Sequence, residues 1–186
     1  MINASYIPLR YARALNEYAK QNSVQEAVYV QCKKALSKFA GFAALRQLLG
    51  NPLLKRDERY AVLASVFGGK PDPVLSRFLY FLTENKRESY IQEIIVRFIR
   101  LYREENHILS AILITASETD AETEKRILEM IRRKTASSVE MEKRIDPELI
   151  GGFVLELDNL RWDASLSGEL KKISGKLTEL NRRQSM

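Results

Sequence analysis

Three sets of residues in this chain have the chemistry for binding or catalysis. Gly151 and Gly152 precede the apolar run Phe153-Val154-Leu155. Paired glycines bring backbone N–H groups to a phosphate when they lie between a strand and a helix N-terminus, usually with a lysine and a hydroxyl at fixed spacing. Here they lead into a strand-like run, and neither GxxxxGK[ST] nor GxGxxG occurs. The spacing points to a tight turn and a close backbone approach. The second set is the carboxylates Asp146, Glu148, Glu156, Asp158 and Asp163. On an alternating strand, Glu156 and Asp158 share the face opposite Leu155 and Leu157, which is the pattern of an exposed polar edge. The third set is a lone histidine, His107, and a lone cysteine, Cys32. Cys32 falls on an apolar helical stripe and reads as a small core residue, and His107 as a surface or strand-edge residue. One thiol permits neither an internal disulfide nor a cysteine-based metal site. No nucleophile stands with a positioned base. The expectation is a protein with no catalytic, cofactor-binding or metal-binding residues.

The elements that position these residues change character along the chain. Residues 1–106 read as six helices with short connections, a helical bundle. In "LRYARALNEYAK", Tyr11, Ala14, Leu15 and Tyr18 recur at helical spacing, with Pro8 suited to a first turn. "VQEAVYVQCKKALSKFAGF" carries Val24, Ala27, Val28, Cys32, Ala35, Leu36 and Phe39 on one stripe. "FAALRQLLG" is a short third helix, and "KRDERYAVLASVFGG" a fourth that ends at Gly68-Gly69. "DPVLSRFLYFLTEN" is a fifth, with Asp72 as N-cap, and "ESYIQEIIVRFIRLYREEN" a sixth. The fifth is apolar on two sides. Leu75, Leu79 and Leu82 form one stripe, and Val74, Phe78 and Phe81 another. Such a helix is either deeply buried or holds a partner.

Residues 107–186 follow the order β-α-β-β-β-α, a small α+β domain. "ILSAILITA" is a buried strand by composition, "DAETEKRILEMIRRKTA" a helix and "SVEMEKRI" a half-exposed strand. "GFVLELDN" and "LRWDASL" form a hairpin that turns at Asp158-Asn159, and "SGELKKISGKLTELNRR" closes as a helix. The fold class expected is mainly α: a six-helix N-terminal bundle, 1–106, followed by a small α+β domain, 107–186.

Charge narrows the function classes. The net charge is +6, with 17 Lys/Arg against 10 Asp/Glu in residues 1–106 and 13 against 14 in the remainder. A basic first half suits nucleic acid, anionic lipid or an acidic protein surface. An aromatic-basic strand motif, a GXXG loop and a clear recognition helix are all missing from the sequence, which leaves a small basic nucleic-acid-binding α+β protein as the weaker alternative. Apolar runs fall short of the ~20 residues of a membrane span, so direct membrane insertion is not expected. Residues 1–30 lack the layout of a secretion signal.

The stretch "IDPELIGGFVLELDN" with "WDASLSGEL" resembles the C-terminal signature of the delta subunit of F-type ATP synthase, the family of the oligomycin-sensitivity-conferring protein. Asp146, Pro147, Leu149, Ile150, Gly151, Gly152, Asp163, Ser165 and Leu170 stand at the signature positions. "YARALNEYA", "LLGNPLLKRDER" and "FLTENKRESYIQEIIVRF" are similar to the family's helical motifs, so the resemblance spans the chain. Lys86 stands where the family often has glycine, Trp162 where a small aliphatic is common, and Ala164 at another frequent glycine.

The resemblance implies a non-catalytic stator subunit of a rotary, proton-translocating ATP synthase, joining the catalytic head to the peripheral stalk. It implies that the N-terminal domain takes the N-terminal helix of an alpha subunit between its first and fifth helices. It also implies that the C-terminal domain meets the C-terminal region of the b subunit. The groove residues would be Arg10, Tyr11, Ala14, Tyr18, Val74, Arg77, Phe78 and Phe81, with Arg10 and Arg77 facing acids on the guest helix. Asp146, Pro147, Gly151, Gly152, Asp163 and Ser165 would be structural. The implied location is peripheral, on the cytoplasmic face of a bacterial membrane.

Overall fold

The computed structural model of the chain describes residues 6–39, 54–135, 137–149, 151–157 and 160–165. The chain divides into two units, Met1–Asn106 and His107–Met186. In the first, the helices are α1 (Tyr6–Gln21), α2 (Gln25–Phe39), α3 (Arg56–Val66), α4 (Pro73–Glu84) and α5 (Ile91–Glu105). A 3₁₀ turn, Glu88–Tyr90, precedes α5. This part of the chain is therefore helical, but the described residues hold five α-helices where six were expected. The segment read as the third helix lies outside the described residues.

Helix α5 is the centre of this unit, with α1 and α2 both packed on it. Its Ile91, Ile94, Ile95, Phe98, Ile99 and Tyr102 are buried at helical spacing. Leu15, Val28, Leu63, Leu75, Leu79 and Leu82, from the other four helices, are each at most 1% exposed. The buried stripe of α1 is Pro8, Ala12, Leu15, Asn16 and Ala19; of the other residues noted at helical spacing, Tyr11 and Tyr18 are half-buried and Ala14 is exposed. On α2, Ala27 is exposed, and the buried aromatic is Tyr29, whose ring stacks on Tyr102 with centroids 4.1 Å apart.

The helix ends explain three unusual residues. After α3, Gly68 N–H donates to Ser65 O and Gly69 N–H to Ala64 O, with φ of 88° at Gly68. This paired pattern is the Schellman cap, which places a left-handed residue just past the helix. After α4 the same pattern joins Lys86 to Thr83 and Arg87 to Leu82, with φ of 54° at Lys86. After α1 it joins Ser23 to Lys20 and Val24 to Ala19, with φ of 58° at Ser23. His107, φ 51°, holds the corresponding place after α5.

The second unit has β1 (Ile108–Thr115), α6 (Ala121–Thr135), β2 (Ser138–Ile145), β3 (Gly152–Leu157) and β4 (Leu160–Ser165). The sheet order is β2-β1-β3-β4. β1 and β2 are parallel and joined through α6, while β3 pairs antiparallel with both β1 and β4. Asp120 caps α6, its carboxylate accepting from Thr123 N–H at 3.2 Å. A bond from the Thr123 side chain, and then the one from its N–H, hold the carboxyl below its usual range. The core joins Ala111, Leu113 and Leu155 from the sheet to Ile127 and Ile131 from α6, with Phe153 and Leu157 alongside. Phe153, Leu155 and Leu157 thus share a face as their alternation requires. The segment read as the closing helix lies outside the described residues.

Candidate functional site

The first candidate is the surface between α1 and α4. Asp72 and Pro73 start α4: the Asp72 carboxylate accepts from Val74 N–H at 2.9 Å, and the proline occupies the first turn, where no N–H is needed. Asp72 N–H in turn donates to the Gln31 side chain at 2.9 Å, which ties this helix start to α2. Leu75, Leu79 and Leu82 then face the core, and the second stripe turns toward α1. Tyr11 meets that stripe twice: its ring centroid lies 6.4 Å from Phe78, edge-on, and 6.0 Å from Phe81. One helical turn away, Arg77 Nη1 donates to the Tyr18 hydroxyl at 3.4 Å.

Within this surface the expected residues differ in access. Val74 and Phe78 are 7% and 6% exposed, whereas Phe81 is 49% exposed. Ala14 is exposed between Tyr11 and Tyr18, and Arg10 and Arg77 are exposed at the margins. The result is an apolar strip with a small residue at its middle and cations along its borders. It suits a helix laid along it, because an alanine lets two backbones approach.

The second candidate, the glycine–aspartate signature, is built as a fold device. Gly152 has φ of 77°, and a Cβ there would fall on the Ala164 carbonyl oxygen and within 3.0 Å of Ser165 Cα. Gly152 and Ser165 are register partners across the β3–β4 ladder. Asp163 Oδ1 accepts from Ser165 N–H at 3.0 Å and from its hydroxyl at 2.5 Å, and Ser165 is 1% exposed. Asp146 ties the other side: its N–H donates to Thr115 O at 2.9 Å, and its carboxylate accepts from Glu148 N–H at 3.0 Å. Pro147 is exposed and Gly151 half-buried in the turn that follows. The signature thus brings together Gly152, Asp163 and Ser165, and separately shapes the turn at Asp146.

The groups with chemical potential are engaged structurally. Glu156 pairs with Arg161 at 3.4 Å, and Asp158 lies outside the described residues. Cys32 is buried, and desolvation pushes its thiol well above the usual range. His107 accepts at its carbonyl from Ser138 N–H, 3.2 Å, where β2 begins. Among the described residues, no cluster of three or more His, Cys, Asp or Glu could hold a metal. No helix among them is long and apolar enough to cross a membrane.

A polar cluster at the end of α5 escaped sequence reasoning. Asn16, 3% exposed, donates to Glu105 at 2.9 Å, and Gln25 donates to both Asn16, 2.8 Å, and Glu105, 3.1 Å. Lys20 lies 3.7 Å from the same carboxylate. Partial desolvation would raise the Glu105 carboxyl, but the bonds from Asn16 and Gln25 and the Lys20 charge outweigh it and hold it below its usual range. The available signal was Asn16 itself, a polar residue one turn from Ala12 on the buried stripe. Likewise Arg59 and Glu88 form a 2.7 Å ion pair with only 15% and 5% of each side chain exposed.

A family profile described as the ATP synthase delta (OSCP) subunit matches residues 7–177. The chain belongs to this family. The delta subunit of Phocaeicola vulgatus is 33% identical over 178 residues, covering 95% of this chain and 96% of the relative. That of Cytophaga hutchinsonii is 33% identical over 173 residues, 93% and 94% of the two chains. A chain in the mitochondrial ATP synthase hexamer of Toxoplasma gondii shares the fold, with a TM-score of 0.68 at 19% identity, covering 92% of this chain and 97% of that one. As a delta-family member the protein is a non-catalytic stator subunit of the F-type ATP synthase. It links the catalytic head to the peripheral stalk, so that rotor torque drives ATP synthesis.

Proposed function

We propose that this delta-family chain holds the catalytic head through the α1–α4 surface, by taking the N-terminal helix of an alpha subunit. Its second unit would meet the C-terminal region of the b subunit, at the cytoplasmic face of a bacterial membrane. The observation that carries the first contact is Phe81, a large apolar side chain left half-exposed beside Tyr11, with Ala14 exposed on the same helix as Tyr11. A stator joint must dissociate slowly, and an apolar stripe that excludes water lengthens residence. Arg10 and Arg77 at the margins favour a guest helix with acidic flanks.

Phe81→Asp tests this reading. Losing a central aromatic anchor typically costs about 2–4 kcal/mol of binding, and a charge buried by the guest costs at least as much. In the free protein the new carboxylate stays in water. The expected outcome is lost affinity for a peptide of the alpha subunit's N-terminal helix, with a thermal midpoint close to that of the unmutated chain. Unchanged affinity removes Phe81 from the contact, and a collapsed midpoint assigns it to the core.

A further inference from the structure

We propose that Glu17 and Glu84 act with Arg10 and Arg77 as a charge quartet that fixes how far along the α1–α4 strip a guest helix seats. The proposal rests on reading this surface as the alpha-subunit site. The two walls share one spacing: Arg10, Tyr11, Ala14 and Glu17 on α1 correspond to Arg77, Phe78, Phe81 and Glu84 on α4. Positions i, i+4 and i+7 lie on one helix face, so each wall presents an arginine, an apolar residue and a glutamate in line. Arg10, Ala14, Glu17, Arg77, Phe81 and Glu84 are all exposed. The walls run in opposite directions. Tyr11 meets Phe78 and Phe81, while Tyr18, further along α1, meets Arg77, earlier on α4.

A half-turn about an axis through the Tyr11–Phe78 contact therefore maps the pattern of one wall onto the other. Each arginine is next in sequence to a residue of that contact. Each glutamate lies six residues beyond it, roughly 9 Å along its own helix. The glutamates thus fall at opposite ends of the strip and on opposite walls. Among the described residues, none of the four charges is in an ion pair. From end to end the strip reads anion, two cations, anion. The occupant we commit to is an amphipathic helix with acids near the middle of its contact stretch and a base toward each end. Shifting such a guest by one turn, about 5.4 Å, moves a base toward the arginines and an acid toward a glutamate, which penalises the shifted register. The half-turn leaves the charges in place, so they set register and not direction. Direction falls to the unlike pair Ala14 and Phe81.

The test measures binding of the full chain, unmutated and as Arg10→Gln, Arg77→Gln, Glu17→Gln and Glu84→Gln, at low salt. The probe is a synthetic copy of the alpha subunit's N-terminal helix from the same organism. Thermal midpoints check that each variant is folded. The expected result is that every neutralisation weakens binding about two- to five-fold, and less so as salt is raised. A guest with acidic flanks alone predicts the opposite sign for the two glutamates, whose removal would relieve repulsion. Glu17→Lys and Glu84→Lys should each be rescued by changing one base of the peptide to glutamate, a different base for each variant. Affinity unchanged or tighter in any of the four Gln variants, or the lack of two separate rescuing positions, overturns the quartet and leaves the site standing. An unmutated chain that does not bind the peptide overturns the site and the quartet together.

Discussion

Lys86 and Gly68 occupy the same place after two helices, yet only one of them is a glycine. An L side chain in the left-handed region costs about 1–2 kcal/mol, and glycine's added unfolded-state entropy costs back about 0.4–1 kcal/mol. Lys86→Gly is therefore expected to stabilise the first unit by roughly 0.5–1 kcal/mol, read as a higher urea midpoint by helical circular dichroism. Gly152→Val should do the reverse. Its branches would press on Ala164 and Ser165 from a positive-φ position, costing roughly 2–4 kcal/mol. A thermal midpoint within error of the unmutated chain would contradict that. The glycine pair was legible as a tight backbone approach because only that reading suited a lead-in to a strand. The need for glycine at 152 in particular was not, since the obstacle, the Ala164 carbonyl, comes from the partner strand. His107 reads from sequence as a surface or strand-edge residue, and it is exposed just before β1; what the sequence does not show is its left-handed place at a helix terminus.

At the scale of elements, periodicity located α2, α4, α5 and the strands, because long apolar stripes and strict alternation survive in the fold. It found only part of the buried face of α1: Leu15 is in it, but the stripe also includes Asn16, which hydropathy penalises. That asparagine is tolerated because Glu105 and Gln25 satisfy its amide, so the partner of a buried polar group lies 89 residues away. The same cluster sets a pH response. The folded Glu105 carboxyl titrates below its unfolded value, so its contribution to stability is present above the unfolded value and lost as pH falls through the folded one. Glu105→Gln should therefore flatten the acid side of the thermal-midpoint profile and lower the midpoint at neutral pH. An acid limb as steep as in the unmutated chain would show that other carboxylates govern it.

At the scale of the whole molecule, the change of pattern at His107 coincides with the division into two units after Asn106. Each has its own buried residues, so residues 1–106 expressed alone are expected to melt cooperatively by circular dichroism. A broad, non-cooperative transition would show that the first unit depends on the second. The junction also has a mechanical meaning for a subunit that resists torque. On one side Glu105 is anchored to α1 and α2; on the other the His107 carbonyl is hydrogen-bonded to the start of β2. The strand that receives the chain, β1, lies in the interior of the sheet, laddered on both sides. A tug directed along it would have to slide it past two neighbours at once, loading many hydrogen bonds together. Bonds loaded together share the force, whereas an edge strand pulled from one end opens like a zipper, one bond at a time.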